Sequence, residues 1–384
     1  MFQNLLVGGM VEMSFNMSDS KVKLLIAGVI CGLVGVLLAL KGNPGNMAIC
    51  IACFIRDTAG SMGLHAAAPV QYFRPEIVGM VCGSFLIALA TKEYKVTAGS
   101  SPMIRFLLGM MIVIGALVFL GCPLRMVIRM AAGDLNAWIA LIGFVLGVAT
   151  GTVALKNGYT LGRAYETNAT GGVVLPIFMA VALILAFTTA LFHFTEAGGG
   201  PGALHAPVAL ALIGGLVFGV FAQRSRMCFA GSVRDIIMLK DFSLITIIGG
   251  FFLVMLIYNI ATGNFHLSTA GQPIAHQQWL WNILGMYVVG FAAVLAGGCP
   301  LRQLIMAGQG SLDAAVTVLG MFFGAACCHN FGFASSGDMK DAATGEVTLG
   351  GTGPNGRIAT IVCIVLLFVI AFVGNKRKEE KAAE

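Results

Sequence analysis

The sequence predicts an all-α integral membrane protein with about ten transmembrane helices in two inverted-topology repeats, each with two short re-entrant helices that bear cysteine. Three observations support this prediction: an apolar composition, ten segments of spanning length, and a duplicated cysteine motif. Of the 384 residues, 58% are hydrophobic and 10% are charged, and the mean hydropathy is +0.90. Soluble domains carry about 25% charged residues, so this composition indicates a protein embedded in lipid.

The apolar segments are each long enough, or nearly so, to cross about 30 Å of hydrocarbon. They lie at roughly 24–41, 74–91, 104–121, 135–153, 173–193, 205–222, 243–262, 279–297, 312–330 and 357–374. Shorter or more polar pieces lie between them, at about 44–60, 122–132, 226–240 and 298–309. These pieces are unsuited to crossing a bilayer, and each contains one of the repeated cysteines.

A five-residue motif occurs twice. Gly-Cys-Pro-Leu-Arg at 121–125 returns at 298–302, 177 residues later, and the glycines at 143 and 147 fall on glycines 320 and 324 at the same offset. A second cysteine element is duplicated at an offset of 178: Cys50 with Arg56 and Asp57, and Cys228 with Arg234 and Asp235. Agreement over this distance indicates two copies of one unit.

The repeat and the apolar segments divide the chain. The expected parts are an N-terminal cytoplasmic segment 1–23, membrane repeats 24–193 and 205–374, a Gly-rich linker 194–204 between them, and a charged cytoplasmic tail 375–384. Five spans per copy is an odd number, so the two copies are expected to insert with opposite orientations, as in many transporters.

Orientation follows from the basic residues, which concentrate on the cytoplasmic side of membrane proteins. With the Lys- and Arg-rich tail inside, ten spans place the N-terminus inside as well, while the outer loops 194–204 and 263–278 contain neither Lys nor Arg. We therefore expect a multi-pass protein of the inner (plasma) membrane with both termini cytoplasmic. Arg56, Arg125 and Arg129 are exceptions that face outward, and all three belong to cysteine elements.

The motif Cys122-Pro123-Leu124-Arg125 reads as the start of a short helix, with cysteine at the cap and proline at the first helical position. Gly133 is expected to end this helix, and Gly308 the equivalent one that begins after Cys299. Such a helix points free N–H groups and the positive end of its dipole at the cysteine, which favours an anion. Arg125 and Arg302 add positive charge one turn later.

The four repeated cysteines, Cys50, Cys122, Cys228 and Cys299, are therefore candidate substrate-binding residues, together with Arg125 and Arg302. The pairs Arg56–Asp57 and Arg234–Asp235 either support the electrostatic field of this site or anchor helix ends at the membrane surface. Thiols beside positive dipoles suit a small sulfur- or selenium-containing anion, which weak contacts can hold and release.

Other kinds of site have little support. Cys31, Cys82 and Cys363 lie in apolar segments and are expected to pack as small hydrophobes. No cysteine and histidine spacing indicates zinc, Cys50-x-x-Cys53 is a weak redox signal, and the Cys327-Cys328-His329 cluster is expected at a helix interface. No cofactor, enzymatic activity or nucleic-acid binding is expected, since the histidines lie mostly near segment ends and the basic residues are scattered.

The Gly-Cys-Pro-Leu-Arg pair, the Arg-Met-Cys-Phe-Ala-Gly sequence at 226–231 and the doubled layout resemble the YeeE/YedE sulfur-transport family. The length and the motif form are most similar to the YedE branch, which is linked to selenium transport. The resemblance implies an inner-membrane permease with an hourglass-shaped interior, in which cysteines on re-entrant helices pass thiosulfate inward. It carries over to Cys122, Cys228 and Cys299, whereas Cys50 follows from the internal symmetry. It also implies a TusA-like cytoplasmic sulfur-carrier protein as a partner.

The main alternative is a membrane thiol–disulfide relay that moves electrons instead of a solute. It predicts that paired cysteines approach bonding distance and alternate between thiol and disulfide. Four cysteines flanked by arginine fit an anion path better.

Overall fold

The computed structural model describes residues 21–340 and 347–373, and the regular secondary structure within them is almost entirely α-helical. The helices are α1 Lys21–Leu40, α2 Ile51–Ser61, α3 Pro75–Ala90, α4 Pro102–Phe119, α5 Pro123–Ala131, α6 Leu135–Lys156, α7 Val174–Thr188, α8 Val208–Arg224, α9 Phe229–Leu239, α10 Ser243–Ala261, α11 Trp279–Leu295, α12 Pro300–Gly308, α13 Leu312–Asn330 and α14 Pro354–Phe368. A π-helical turn, Val369–Val373, follows α14. Two antiparallel pairs of short strands lie in the loops: β1 Thr97–Ala98 with β2 Tyr165–Glu166, and β3 Met339–Lys340 with β4 Val347–Thr348.

The ten predicted spans are confirmed as ten stretches of the described chain that are long and apolar enough to cross a membrane. Large apolar side chains on the outside of the bundle, such as Ile184 of α7 and Ile361 of α14, are more than half exposed. Exposed apolar side chains of this kind are stable against lipid. The protein is therefore a multi-pass membrane protein.

The helices of the two halves interleave. Helix α3 packs along α8 while the equivalent α10 packs along α1, and α6 packs along α11 while the equivalent α13 packs along α4. In the second set, Gly143 and Gly147 contact Ile283 and Tyr287 in turn, and the repeat-related glycines 320 and 324 contact Phe106 and Met110. The contacts advance in the same direction on both helices, so each pair is parallel. The duplicated glycines thus allow close backbone approach.

Helices α4 and α11 occupy equivalent places in the two halves and cross each other. A Cβ atom added at Gly115 would lie 2.6 Å from the carbonyl oxygen of Gly285, and one added at Gly285 would lie 2.8 Å from that of Gly115. Both distances are shorter than a carbon–oxygen contact, so glycine is required on each side. The two helices therefore approach each other backbone to backbone at this crossing.

The four cysteine-bearing pieces form the short helices α2, α5, α9 and α12, with cysteine at the N-cap of each. Their 9 to 11 residues correspond to about 14–16 Å, roughly half the hydrocarbon thickness. Helix α12 ends at Gly308, but the left-handed residue that turns the chain is Gly310, with φ of 110°, the counterpart of Gly133 at 88°. The helix thus ends at Gly308 as predicted, and in both copies a left-handed glycine follows two residues after the helix end.

The expected linker contributes a short 3₁₀ turn, Pro201–Ala203, before α8 begins. Residues 1–20 of the N-terminal segment and the charged tail 375–384 lie outside the described residues. The expectation that both termini are cytoplasmic concerns these residues and stays a prediction. The domain boundaries and the inverted arrangement of the repeats stay predictions.

Candidate functional site

The structure brings the six candidate binding residues together as two clusters, one from each half. The first cluster contains Cys50, Cys122 and Arg125, together with Cys53. The Sγ atoms of Cys50 and Cys122 lie 3.7 Å apart, and a guanidinium nitrogen of Arg125 lies 3.6 Å from the Sγ atom of Cys53. All three cysteines are free thiols and are 0–1% exposed.

The Arg125 guanidinium is held by backbone carbonyl groups. It donates to the carbonyl oxygens of Asn46 at 2.9 Å and Ile274 at 3.0 Å, and to that of Leu120. Asn46 also donates from its side chain to the carbonyl oxygen of Pro273 at 2.9 Å. Loop 263–278 is therefore fastened to the first cluster, and the positive charge of Arg125 is surrounded by carbonyl oxygens.

The second cluster contains Cys228, Cys299 and Arg302. The sulfur of Cys228 accepts a hydrogen bond from the backbone N–H of Gly231 at 3.2 Å. Cys228 and Cys299 are the N-cap residues of α9 and α12 and influence each other electrostatically. Each thiol therefore lies at the positive end of a short helix.

Arg302 has a different environment from Arg125 although both belong to the same five-residue motif. Its Nη1 atom is buried and has no hydrogen-bond partner in the part of the chain that the structure describes. Arg302 and Cys228 line a cavity of about 430 Å³, whereas Cys299 is 1% exposed and does not line it. Arg226 and Arg234 also line this cavity, and so do Asp235 and Asp241, so three guanidinium groups and two carboxylates surround it. The remaining positive charge, and a guanidinium nitrogen without a partner, favour an anionic ligand.

The two predicted charge pairs both form. Arg56 and Asp57 are buried and 2.6 Å apart, and Asp57 has a second buried partner in Arg74 at 2.7 Å. Arg234 and Asp235 are 2.8 Å apart, more exposed, and both line the 430 Å³ cavity. The first pair is an internal ion cluster, and the second forms part of a cavity wall.

A second cavity, of about 410 Å³, is lined by His65, His193 and Asn330 among others. None of its lining residues is a cysteine. A position near a segment end suggests a surface residue, but His65 and His276 are only 3% and 0% exposed, and each is hydrogen-bonded to a backbone carbonyl group. Burial lowers the pKa of His65, which lies in a loop.

Metal binding finds no support among the described residues, which contain no group of three potential ligands. Cys327 and Cys328 are buried, and so are Cys31 and Cys363, while Cys82 is half-buried. The cluster at 327–329 therefore lies in a packed interface. The absence of a cofactor stays an expectation.

Sequence reasoning missed three features of this region. Cys53 belongs to the first cluster, and the C-x-x-C spacing from Cys50 was the signal that could have indicated this. The residue at the corresponding position of the second half is Gly231. Arg74 completes the ion cluster around Asp57. Glu76 is fully buried two residues later. A charged pair at the beginning of an apolar span is a signal for Arg74 and Glu76, because charges at this depth are costly.

Parts of this chain are similar to proteins of known function. Residues 224–384 match the protein family described as Sulphur transport. The chain is 30% identical over 107 residues to the thiosulfate transporter TsuA of Escherichia coli (strain K12), a match that covers 27% of this chain and 29% of that protein. It is 30% identical over 104 residues to the thiosulfate transporter TsuA of Spirochaeta thermophila, covering 27% and 31%. The matches span less than a third of the length of these relatives.

Proposed function

Since residues 224–384 relate this chain to the sulfur-transport family, as the motif resemblance predicts, we propose that it is a permease that imports a small sulfur-containing anion. The cargo is thiosulfate or an anion like it, and a selenium species of similar shape and charge is the alternative cargo. The two matched relatives are transporters, which supports transport over enzymatic activity.

The observation that carries this proposal is the guanidinium group of Arg302, which lies beside Cys228 in the wall of the 430 Å³ cavity and has one nitrogen without a partner among the described residues. Cys228 lies in the same wall, so an entering anion meets a positive charge and a thiol together. Hydrogen bonds to charged groups contribute about 1.5–3 kcal/mol each, which is enough to select an anion yet weak enough to release it.

The path runs from the first cluster to the second. Each cluster has cysteines at helix N-termini and an arginine from the repeated motif, so an anion finds similar partners at both. The pairs Arg56–Asp57 and Arg234–Asp235 support the field around the two ends.

The parallel packing of α3 and α8 supports the inverted arrangement of the repeats. Helices α1 and α3 cross the membrane in opposite directions if the 11-residue α2 between them does not cross. Because α8 runs parallel to α3, α8 is then antiparallel to its equivalent α1. In this arrangement the second cluster and its cavity lie on the cytoplasmic side of the inner membrane, and both termini are cytoplasmic. A TusA-like carrier is the partner that would receive the sulfur there.

Uptake of labelled thiosulfate, and separately of selenite, into vesicles containing the protein tests the proposal. Serine replacements of Cys122, Cys228 and Cys299 should abolish uptake, while Cys31→Ser and Cys363→Ser, which alter cysteines outside the clusters, should not. Intact uptake in all three cluster variants contradicts the cysteine path. Loss in the control variants as well indicates a folding defect, which fluorescence-detected size exclusion would reveal.

A thiol–disulfide electron relay is the second candidate, because the 3.7 Å separation of the Cys50 and Cys122 sulfurs permits disulfide exchange after a small movement. It requires no cargo. Absence of uptake of either anion, combined with thiol labelling that changes with redox potential, favours the relay.

A further inference from the structure

A buried carboxyl group is connected through Asn43 to the loop that precedes Cys50, and the anion path proposed above does not use it. Glu76, in the first turn of α3, is 0% exposed. Its Oε1 atom accepts a hydrogen bond from the side chain of Asn43 at 2.8 Å, whereas its Oε2 atom has no partner among the residues described. An ionisable side chain inside a membrane protein is energetically costly unless it has a partner or a functional role. The second half has no carboxyl group at the corresponding place.

We propose that Glu76 is the proton-binding site of the transport cycle, so that the anion enters together with a proton; this proposal rests on the anion permease proposed above. Glu76 takes one proton from the outer side as the anion occupies the first cluster, and it releases this proton to the cytoplasmic side after the anion has moved to the second cluster.

The surroundings of Glu76 act on its charge in two opposing ways. Arg56, Arg74 and Asp57 together carry one net positive charge, and both oxygens of Asp57 are already used by the two arginines. An ionised Glu76 neutralises this set, and the N-terminus of α3 also favours the ion. Burial and the unpartnered Oε2 atom favour the protonated form. Some of these influences therefore favour the ionised form of Glu76, and others favour the protonated form.

Other ionisable groups near α3 have separate partners or face other space. Tyr72 interacts electrostatically with Glu76 and stacks on His205 with ring centroids 4.0 Å apart, while its hydroxyl group has no partner among the described residues. Helix α8 contributes Arg224, which pairs with Glu93 beyond the far end of α3, and α12 contributes Arg302, which lines the 430 Å³ cavity. Helix α7 contains no ionisable side chain, and α8 meets Glu76 through the backbone of Gly215.

Protonation of Glu76 raises the positive potential at the first cluster. Arg56 interacts electrostatically with Cys50 and Cys53, so the net positive charge that appears when Glu76 is neutral acts on an anion bound there. By linkage, an anion bound there favours protonation of Glu76 to the same extent.

A direct contact also joins Glu76 to the cysteine loop. The side-chain amide of Asn43 donates to Glu76 and, at 2.8 Å, to the carbonyl oxygen of Ala48. Ala48 has a positive φ of 41° and lies two residues before Cys50. Asn46 of the same loop holds Arg125 and Pro273. A change in charge at Glu76 therefore acts on the segment that positions Cys50 and Arg125.

The test uses the full chain in proteoliposomes with labelled thiosulfate and an imposed inward proton gradient. The wild-type protein should concentrate thiosulfate several-fold and acidify the lumen. Glu76→Gln, which keeps the acceptor for Asn43, should equilibrate thiosulfate without concentrating it, and counterflow exchange should persist. Glu76→Asp should recover part of the accumulation. Glu166→Gln, at an exposed carboxyl group, should behave as the wild type.

Concentration by Glu76→Gln equal to that of the wild type overturns the proposal, as does wild-type accumulation that ignores the proton gradient. Infrared difference spectroscopy gives a readout that does not need transport. The carbonyl band of a protonated carboxyl group should change when thiosulfate is added and should be missing in Glu76→Gln. A carbonyl band that does not change when thiosulfate is added overturns the proposal, even if the protein carries another anion. A band that does change, in a protein that does not transport thiosulfate, contradicts only the assignment of thiosulfate as the cargo.

Discussion

The two arginines of the repeated motif should respond in opposite ways to the same substitution. Arg125→Gln and Arg302→Gln remove one guanidinium group each from equivalent positions. Arg125 donates to several buried carbonyl groups, whereas Nη1 of Arg302 has no partner among the described residues. The first substitution should therefore reduce stability, and the second should reduce anion affinity.

The magnitude for Arg125 follows from its partners. The carbonyl oxygens of Asn46, Leu120 and Ile274 lose a donor in Arg125→Gln, and each buried acceptor left unpaired costs about 1–3 kcal/mol. A shorter glutamine recovers one of these bonds at most. The expected loss is therefore at least ~2 kcal/mol, and the fastening of loop 263–278 is lost with it.

The magnitude for Arg302 concerns the ligand. Removing a hydrogen bond from a charged donor to an anion costs about 1.5–3 kcal/mol, which corresponds to about a 10- to 150-fold weaker affinity. The free protein loses no hydrogen bond of Nη1, so its stability should remain within about 0.5 kcal/mol of the wild type or rise slightly.

The assay compares the two variants in detergent. Tryptophan fluorescence during heating reports the apparent midpoint of unfolding, and thiosulfate titration by the shift of that midpoint reports affinity. Equal losses of stability in both variants would refute the assigned difference between the two arginines. Unchanged thiosulfate affinity in Arg302→Gln would refute the role of the cavity.

Three further outcomes are expected. A small membrane-impermeant maleimide should label Cys228, which lines a cavity, faster than Cys50, which is 0% exposed, and equal rates by mass spectrometry would contradict the difference in access. Asp57→Asn should lower the free energy of unfolding by about 3–5 kcal/mol, because it leaves buried arginines unpaired. Asp235→Asn, at a more exposed pair, should lower it by under ~1 kcal/mol. Thermal unfolding compares the two variants, and similar losses would be inconsistent with the difference in burial. Gly115→Leu should prevent a monodisperse protein in size exclusion, because the side chain would enter the backbone of α11, and a well-folded product would show that the crossing is looser than described.

Much of the fold follows from the sequence. Apolar segments set the ten spans, and proline after cysteine sets the starts of α5 and α12, since both signals are local. The repeated glycines also had a predictable position, but their partners did not, because contact of Gly147 with Tyr287 depends on how the two halves interleave.

The site was less predictable for a related reason. Identical motifs suggest identical environments, yet Arg125 is surrounded by carbonyl groups of residues 46, 120 and 274, while Arg302 faces a cavity. Two of these carbonyl groups come from loops distant in sequence. Backbone carbonyls carry no residue-specific signal, so no pattern in the sequence could have separated the two arginines.

The crossing of Gly115 and Gly285 limits the kind of movement that the bundle can make. Backbones in direct contact cannot slide past each other by a helical turn without collision, but they can rotate about the point of contact. Movement of α4 relative to α11 is thus expected to be a rotation about this crossing. Spectroscopic labels at the outer ends of α4 and α11 would then show the largest distance changes, and labels beside the two glycines the smallest.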